Sequence, residues 1–257
     1  MTAARAARVI VTRPAEQAGA WVERLGERGI AAEALPLIEI APAADASALR
    51  SAWAGVAACR LVVFVSANAV LRFFAERPAG LAWPDGVAAG APGSGTADAL
   101  REAGVPEAAI VMPAADAAQF DSEALWERLR SRDWRGVRVL VVRGDGGRDW
   151  LAERLVDAGA QVDTVSAYRR FAPRFTGAAR DRLDAAIADA DAVWLFSSSE
   201  AIANLEAAAG PGRFGAARAV ATHPRIAARA RSLGFGVVVE AAPGLDAVIA
   251  CLQSIQP

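Results

Sequence analysis

The sequence contains no lysine, one histidine, one tyrosine, two cysteines and two methionines. Each shortage closes off a chemistry. Without lysine there is no Schiff-base amine, no pyridoxal anchor and no phosphate-loop ammonium. His223 alone cannot build a zinc site, and Cys59 and Cys251 fit no metal or redox spacing. No apolar run approaches the roughly 20 residues that cross a bilayer. Residues 1–8 lack the apolar stretch of a secretory signal. The formal net charge of −1 offers nothing to nucleic acid or an anionic membrane. The expectation is a cytoplasmic protein with neither partner. No heptad seam is visible, so a monomer is expected.

What is present is regular. Short apolar runs alternate with longer amphipathic stretches, the pattern of a parallel sheet with crossover helices. Strand-like runs fall at residues 8–11, 61–65, 87–89, 137–142, 192–196, 217–221 and 237–240. Residues 15–28 read as a helix with Ala18, Trp21, Val22 and Leu25 on one face, stopped by Gly29 in the left-handed region. All 28 basic residues are arginine, which reflects codon usage or suits bidentate carboxylate recognition.

The two halves share a plan. Arg13 matches Arg143, Glu23-Arg24-Leu25 matches Glu153-Arg154-Leu155, and Gly29 matches Gly159, all at 143 − 13 = 130 residues. Ser66 matches Ser197 at 131, and Gly104 matches Gly234 at 130. Matches in the same order at nearly one offset indicate two similar open parallel-sheet α/β domains. Residues 35–40 and 165–171 both read as extended. If they pair as hinge connectors, residues 1–38 plus 170–257 form one discontinuous domain and 41–166 the other. A two-stranded linker would then join them, with a cleft between.

Ligands of open parallel sheets bind beyond the carboxyl ends of strands, where helix N-termini expose backbone N–H groups. Five such turns stand out: Thr12-Arg13-Pro14, Ser66-Ala67-Asn68, Gly93-Ser94-Gly95-Thr96, Arg143-Gly144-Asp145-Gly146-Gly147-Arg148 and Ser197-Ser198-Ser199. Any one hydroxyl is explained equally well as a helix cap, which contributes about 1 kcal/mol. As a set they suit a large, flexible polyanion. Nucleotide fingerprints fail, because Asp149 and Asp98 stand where the third small residue belongs. The serine run lacks a nucleophile elbow. Tyr168 lies in the second connector beside Arg169 and Arg170. It is either an aromatic covering a domain edge or a phenol at the mouth of the cleft that donates a proton.

The combination Val11-Thr12-Arg13-Pro14, Leu35-Pro36-Leu37-Ile38, Phe64-Val65-Ser66-Ala67-Asn68-Ala69-Val70, the Gly93 turn, the Arg143 turn, Tyr168-Arg169-Arg170 and Phe196-Ser197-Ser198 resembles the uroporphyrinogen-III synthase family. The resemblance runs from about residue 9 to 240. It implies a cofactor-free, metal-free lyase that closes hydroxymethylbilane into a ring, inverting ring D through a spiro intermediate with loss of water. It also implies a transient hand-over from hydroxymethylbilane synthase. Tyr168 would then protonate the leaving hydroxyl. Thr12, Arg13, Ser66, Asn68, Thr96, Arg143, Gly144, Arg148, Ser197 and Ser198 would hold substrate carboxylates. Arg13, Arg143 and Arg148 are equally readable as braces of their turns. One departure stands in the last third: Ile226 occupies a position where relatives often carry threonine, leaving Thr222 or His223 to substitute. Competing readings are a non-catalytic tetrapyrrole- or polyanion-binding module, a bilobal solute receptor and a nucleotide-dependent transferase.

Overall fold

The computed structural model describes residues 8–255 apart from positions 115, 118, 147 and 243. Gly147, one of the turn glycines above, lies outside the described residues. In chain order the elements are β1 (Val9–Val11), α1 (Ala15–Gly26), β2 (Ala32–Ala34), β3 (Glu39–Pro42), α2 (Ala46–Gly55), β4 (Leu61–Phe64) and α3 (Ala67–Ala75). Next come β5 (Ala88–Gly90), α4 (Ser94–Glu102), β6 (Ile110–Val111), α5 (Ser122–Leu129), β7 (Arg138–Gly144), α6 (Trp150–Asp157) and β8 (Gln161–Phe171). The last third holds α7 (Ala178–Ala188), β9 (Val193–Phe196), α8 (Ser199–Ala209), β10 (Arg218–Ala221), α9 (Pro224–Leu233), β11 (Val237–Glu240) and α10 (Leu245–Ser254).

The chain divides into two compact units, the first made of Met1–Ile40 with Phe171–Pro257 and the second of Ala41–Arg170. Among the described residues the first sheet has the order β11-β10-β9-β1-β2 and the second β3-β8-β7-β4-β5-β6. All four pairings of the first sheet are parallel, as are those from β8 to β6 in the second. Placing β1 on β7 and β9 on β4 makes the two orders coincide from β2 to β11 and from β8 to β6. The repeat in the sequence is therefore a repeat of topology, with the first strand–helix unit of the chain taking the place that β7 and α6 hold in the second sheet.

Strand alternation explains why both faces of each sheet are covered. In the first unit Val9, Val11, Val193 and Leu195 face one apolar cluster with Leu25 and Val248. Ile10, Trp194 and Phe196 point the other way, into a cluster with Leu205, Phe214 and Phe235. Near-continuous apolar strands such as Leu61–Phe64, buried throughout, belong to a parallel sheet with helices on both sides. Each such side chain contributes about 1.5–3 kcal/mol relative to exposure. The second unit adds an aromatic cluster in which Trp53 stacks on Phe73 with centroids 4.6 Å apart, and its indole donates to the Phe73 carbonyl at 2.7 Å.

One expected element is different. Residues 35–40 are not one extended run: β2 stops at Ala34, β3 begins at Glu39, and the residues between lie outside any strand. Pro36 offers no ladder donor. Leu35, Leu37 and Ile38 are all buried, which the two-residue alternation of a half-exposed strand does not allow. The second connector is in contrast the end of an 11-residue strand that begins at Gln161.

Candidate functional site

At the carboxyl edge of the second sheet, β4 delivers the chain to Ser66. Its extended backbone (φ −164°) makes it the N-cap of α3, its Oγ accepting the Ala69 N–H at 3.2 Å. The same oxygen lies 3.0 Å from the Tyr168 hydroxyl, and either can donate. Tyr168 arrives there because of a bulge between β7 and β8. Arg143 pairs with Ser166 but Gly144 pairs with Tyr168, so Ala167 is the extra residue and the tyrosine is re-aimed. Past the bulge the Asp145 N–H donates to the Tyr168 carbonyl, and the Asp145 carboxylate accepts the Arg170 N–H, each at 2.9 Å. Tyr168 is only 3% exposed. The ring is packed against its own sheet, and the partly exposed member of the pair is Ser66.

The other second-unit candidates divide into two groups. Asn68 and Thr96 sit in the first turns of α3 and α4, both 6% exposed. Arg143 and Arg148 are engaged within the unit. Arg143 donates to the Gly146 carbonyl at 2.6 Å and pairs with Asp149. Arg148 grips both oxygens of Glu123 at 2.6 and 3.2 Å, and this hydrogen bonding pushes its pKa up. Both guanidinium groups brace their turn. At Gly144 the side where a β-carbon would stand is occupied by the Tyr168 ring.

In the first unit the Thr12 hydroxyl, 1% exposed, donates to the Leu195 carbonyl at 2.7 Å and ties β1 to β9. Arg13 follows, just before Pro14 at the start of α1. Its guanidinium lies 4.5 Å from the centroid of the Trp21 ring, and its buried Nε has no hydrogen-bond partner. Burial without a counter-charge pulls its pKa down to about 10. Ser198 caps α8 by accepting the Glu200 N–H at 3.2 Å, with Ser197 partly exposed before it. At the departure in the last third, His223 caps α9, its Nδ1 accepting the Arg225 N–H at 3.1 Å. Ile226 turns into the core instead and is 8% exposed. A cavity of about 410 Å³ lies against the start of α1, lined by Pro14, Leu35, Ile38, Phe175, Arg174 and Arg182. No motif marks Arg174 or Arg182, because the lining comes from segments far apart in sequence.

A profile described as uroporphyrinogen-III synthase HemD matches residues 19–250. The chain belongs to the uroporphyrinogen-III synthase family. A family protein of that name from Salmonella typhimurium is 33% identical over 171 residues, covering 66% of this chain and 68% of its own. The fold of the family is shared with solved structures. A mutant uroporphyrinogen III synthase of Thermus thermophilus superposes with a TM-score of 0.62 over 97% of this chain and 98% of its own, at 18% identity. The uroporphyrinogen-III synthetase of Helicobacter pylori gives 0.56 over 97% and 100%, at 14% identity. Within this family fold, the Ser66–Tyr168 pair and the half-buried Arg13, whose Nε has no hydrogen-bond partner, stand at the turns that the sequence singles out.

Proposed function

We propose that this chain catalyses the family reaction, converting hydroxymethylbilane to uroporphyrinogen III and water as a cyclising lyase. The observation that carries the chemical assignment is the Tyr168 hydroxyl held 3.0 Å from the Ser66 cap of α3. Tyr168 protonates the terminal hydroxyl of the substrate. The adjacent pyrrole nitrogen lone pair expels it as water and leaves a cationic azafulvenium electrophile. The substituted carbon of ring D attacks that carbon to give a spiro intermediate, which fragments and recloses with ring D inverted. The proton then lost from the closing pyrrole balances the one Tyr168 supplied.

The same substrate cyclises unaided to the symmetric isomer, so selectivity comes from holding reacting ends in one geometry. Carboxylate arms bind the α3, α4 and α8 amino ends through Ser66, Asn68, Thr96, Ser197 and Ser198 with their backbone N–H groups. Arg13 supplies a positive charge that no carboxylate among the described residues neutralises. The experiment is a coupled assay in which a deaminase delivers hydroxymethylbilane and oxidised products are separated as type I and type III isomers. Mostly type III is the expected outcome. Type I alone, formed at the spontaneous rate, would remove the enzymatic reading and leave a tetrapyrrole-binding protein.

A further inference from the structure

Gly144 carries more than a turn. A β-carbon built at this position would lie 2.7 Å from Cε2 and 2.8 Å from Cζ of Tyr168, and 3.1 Å from its hydroxyl. Real side chains do not approach an aromatic ring so closely, so one of the two must move. The close approach is created by the same bulge that sets Gly144 opposite Tyr168, and it lays the phenolic end of the ring against bare backbone. The hydroxyl is thereby fixed within reach of Ser66.

We infer that Gly144 is the positioning residue of the phenol, and that Ser66 completes the arrangement from the other side. The inference rests on the proposed role of Tyr168 as proton donor. Ser66 Oγ already accepts the Ala69 N–H, and the serine keeps its own proton to give. Before proton transfer the Ser66–Tyr168 bond runs in either direction. Once the phenol has given its proton away, only the Ser66 hydroxyl donating to the phenolate remains. That bond is stronger with a charged acceptor, so it favours the transition state over the resting phenol. Any side chain at 144 pushes the ring off this geometry, and a displacement near 1 Å costs about a hundredfold in rate.

The test uses the intact chain with its single tyrosine labelled with ¹³C at Cζ. Gly144→Ala is expected to move the one Cζ resonance, lower kcat about a hundredfold and leave KM nearly unchanged. In a Tyr168→Phe background, where the hydroxyl is gone, the same substitution should cost almost nothing further in kcat. An unmoved resonance, or an equal loss of kcat in both backgrounds, overturns the inference. If Tyr168→Phe alone turns over like the parent, it is the proton-donor reading that falls, while the resonance still decides whether Gly144 sets the ring. Should Gly144→Ala not fold, it is combined with Tyr168→Ala. Recovery of a folded chain supports the contact, and failure to recover overturns it. Ser66→Thr, which keeps cap and hydroxyl, should restore kcat relative to Ser66→Ala.

Discussion

The two units build the same strand order but finish their matching strands differently. At the repeat offset of 130, Arg13 lies on Arg143, Pro14 on Gly144, and Ile38 on Tyr168 (168 − 38 = 130). In the first unit β1 stops at Val11, Pro14 starts the helix at once, and Ile38 is a core residue at 5% exposure. In the second unit β7 runs on to Gly144, a bulge re-aims β8, and Tyr168 meets Ser66. At the repeat offset, the position of the phenol in one copy is held by an aliphatic core residue, Ile38, in the other. The shared scaffold supplies helix amino ends in both units. A few side chains then distinguish the copies: a phenol meets a serine hydroxyl in one, and the half-buried Arg13 guanidinium lies over Trp21 in the other.

The sharpest way to break this contrast is to remove the hydroxyl that caps a site helix in each unit. Ser66→Ala should lower kcat about a hundredfold, the scale of a lost general-acid contribution. Ser198→Ala should raise KM and hold kcat within about threefold. Each also loses a helix cap, about 1 kcal/mol, which thermal unfolding registers. Equal kcat losses in the two units would erase the asymmetry. Two buried tryptophans, one in each unit, sharpen the structural side of it. The Trp53 indole donates to Phe73, whereas the buried Trp194 Nε1 has no partner. Trp53→Phe should therefore cost about 1 kcal/mol more than Trp194→Phe in chemical denaturation.

A weaker effect is expected from pH. Burial holds Arg13 near 10, below the ordinary arginine value, so the fold penalises its charged form. As pH rises through about 10 the charge is lost, the penalty disappears and the fold gains stability relative to the unfolded chain. Carboxylate binding weakens over the same range. KM should climb through about pH 10 in the parent, and that climb should vanish in Arg13→Gln. The smallest difference concerns the thiols, one in each unit. Burial pushes both Cys59 and Cys251 up, so alkylation at neutral pH should be slower than in the unfolded chain. Their relative rates report which unit opens more readily.

Much of this was legible in the residues. Strands such as Leu61–Phe64 and Val193–Phe196 announce themselves as apolar runs because both faces of a parallel sheet are buried. Gly29, Gly159, Gly104 and Gly234, matched by the offset, all adopt positive φ between 73° and 98°. Residues 35–40 misled because three buried apolar side chains imitate a strand while Pro36 interrupts the ladder. The partners of Arg143 and Arg148 were only partly visible. Asp149 is local, but Glu123 lies 25 residues away and reaches Arg148 only through the packing of α5 beside α6. In the sequence Gly144 reads as a turn glycine offered to a substrate carboxylate. Its proximity to a ring 24 residues later depends on one bulge, and bulges leave little trace in composition.

The central claim is that a buried phenol in the second unit drives the ring closure. The direct measurement is the isomer ratio and rate of product formed by Tyr168→Phe from freshly supplied hydroxymethylbilane, beside the parent. The account predicts a fall of about 10²–10⁴-fold in type III formation, with type I overtaking it as the spontaneous reaction wins. Type III product at the parent rate would contradict it.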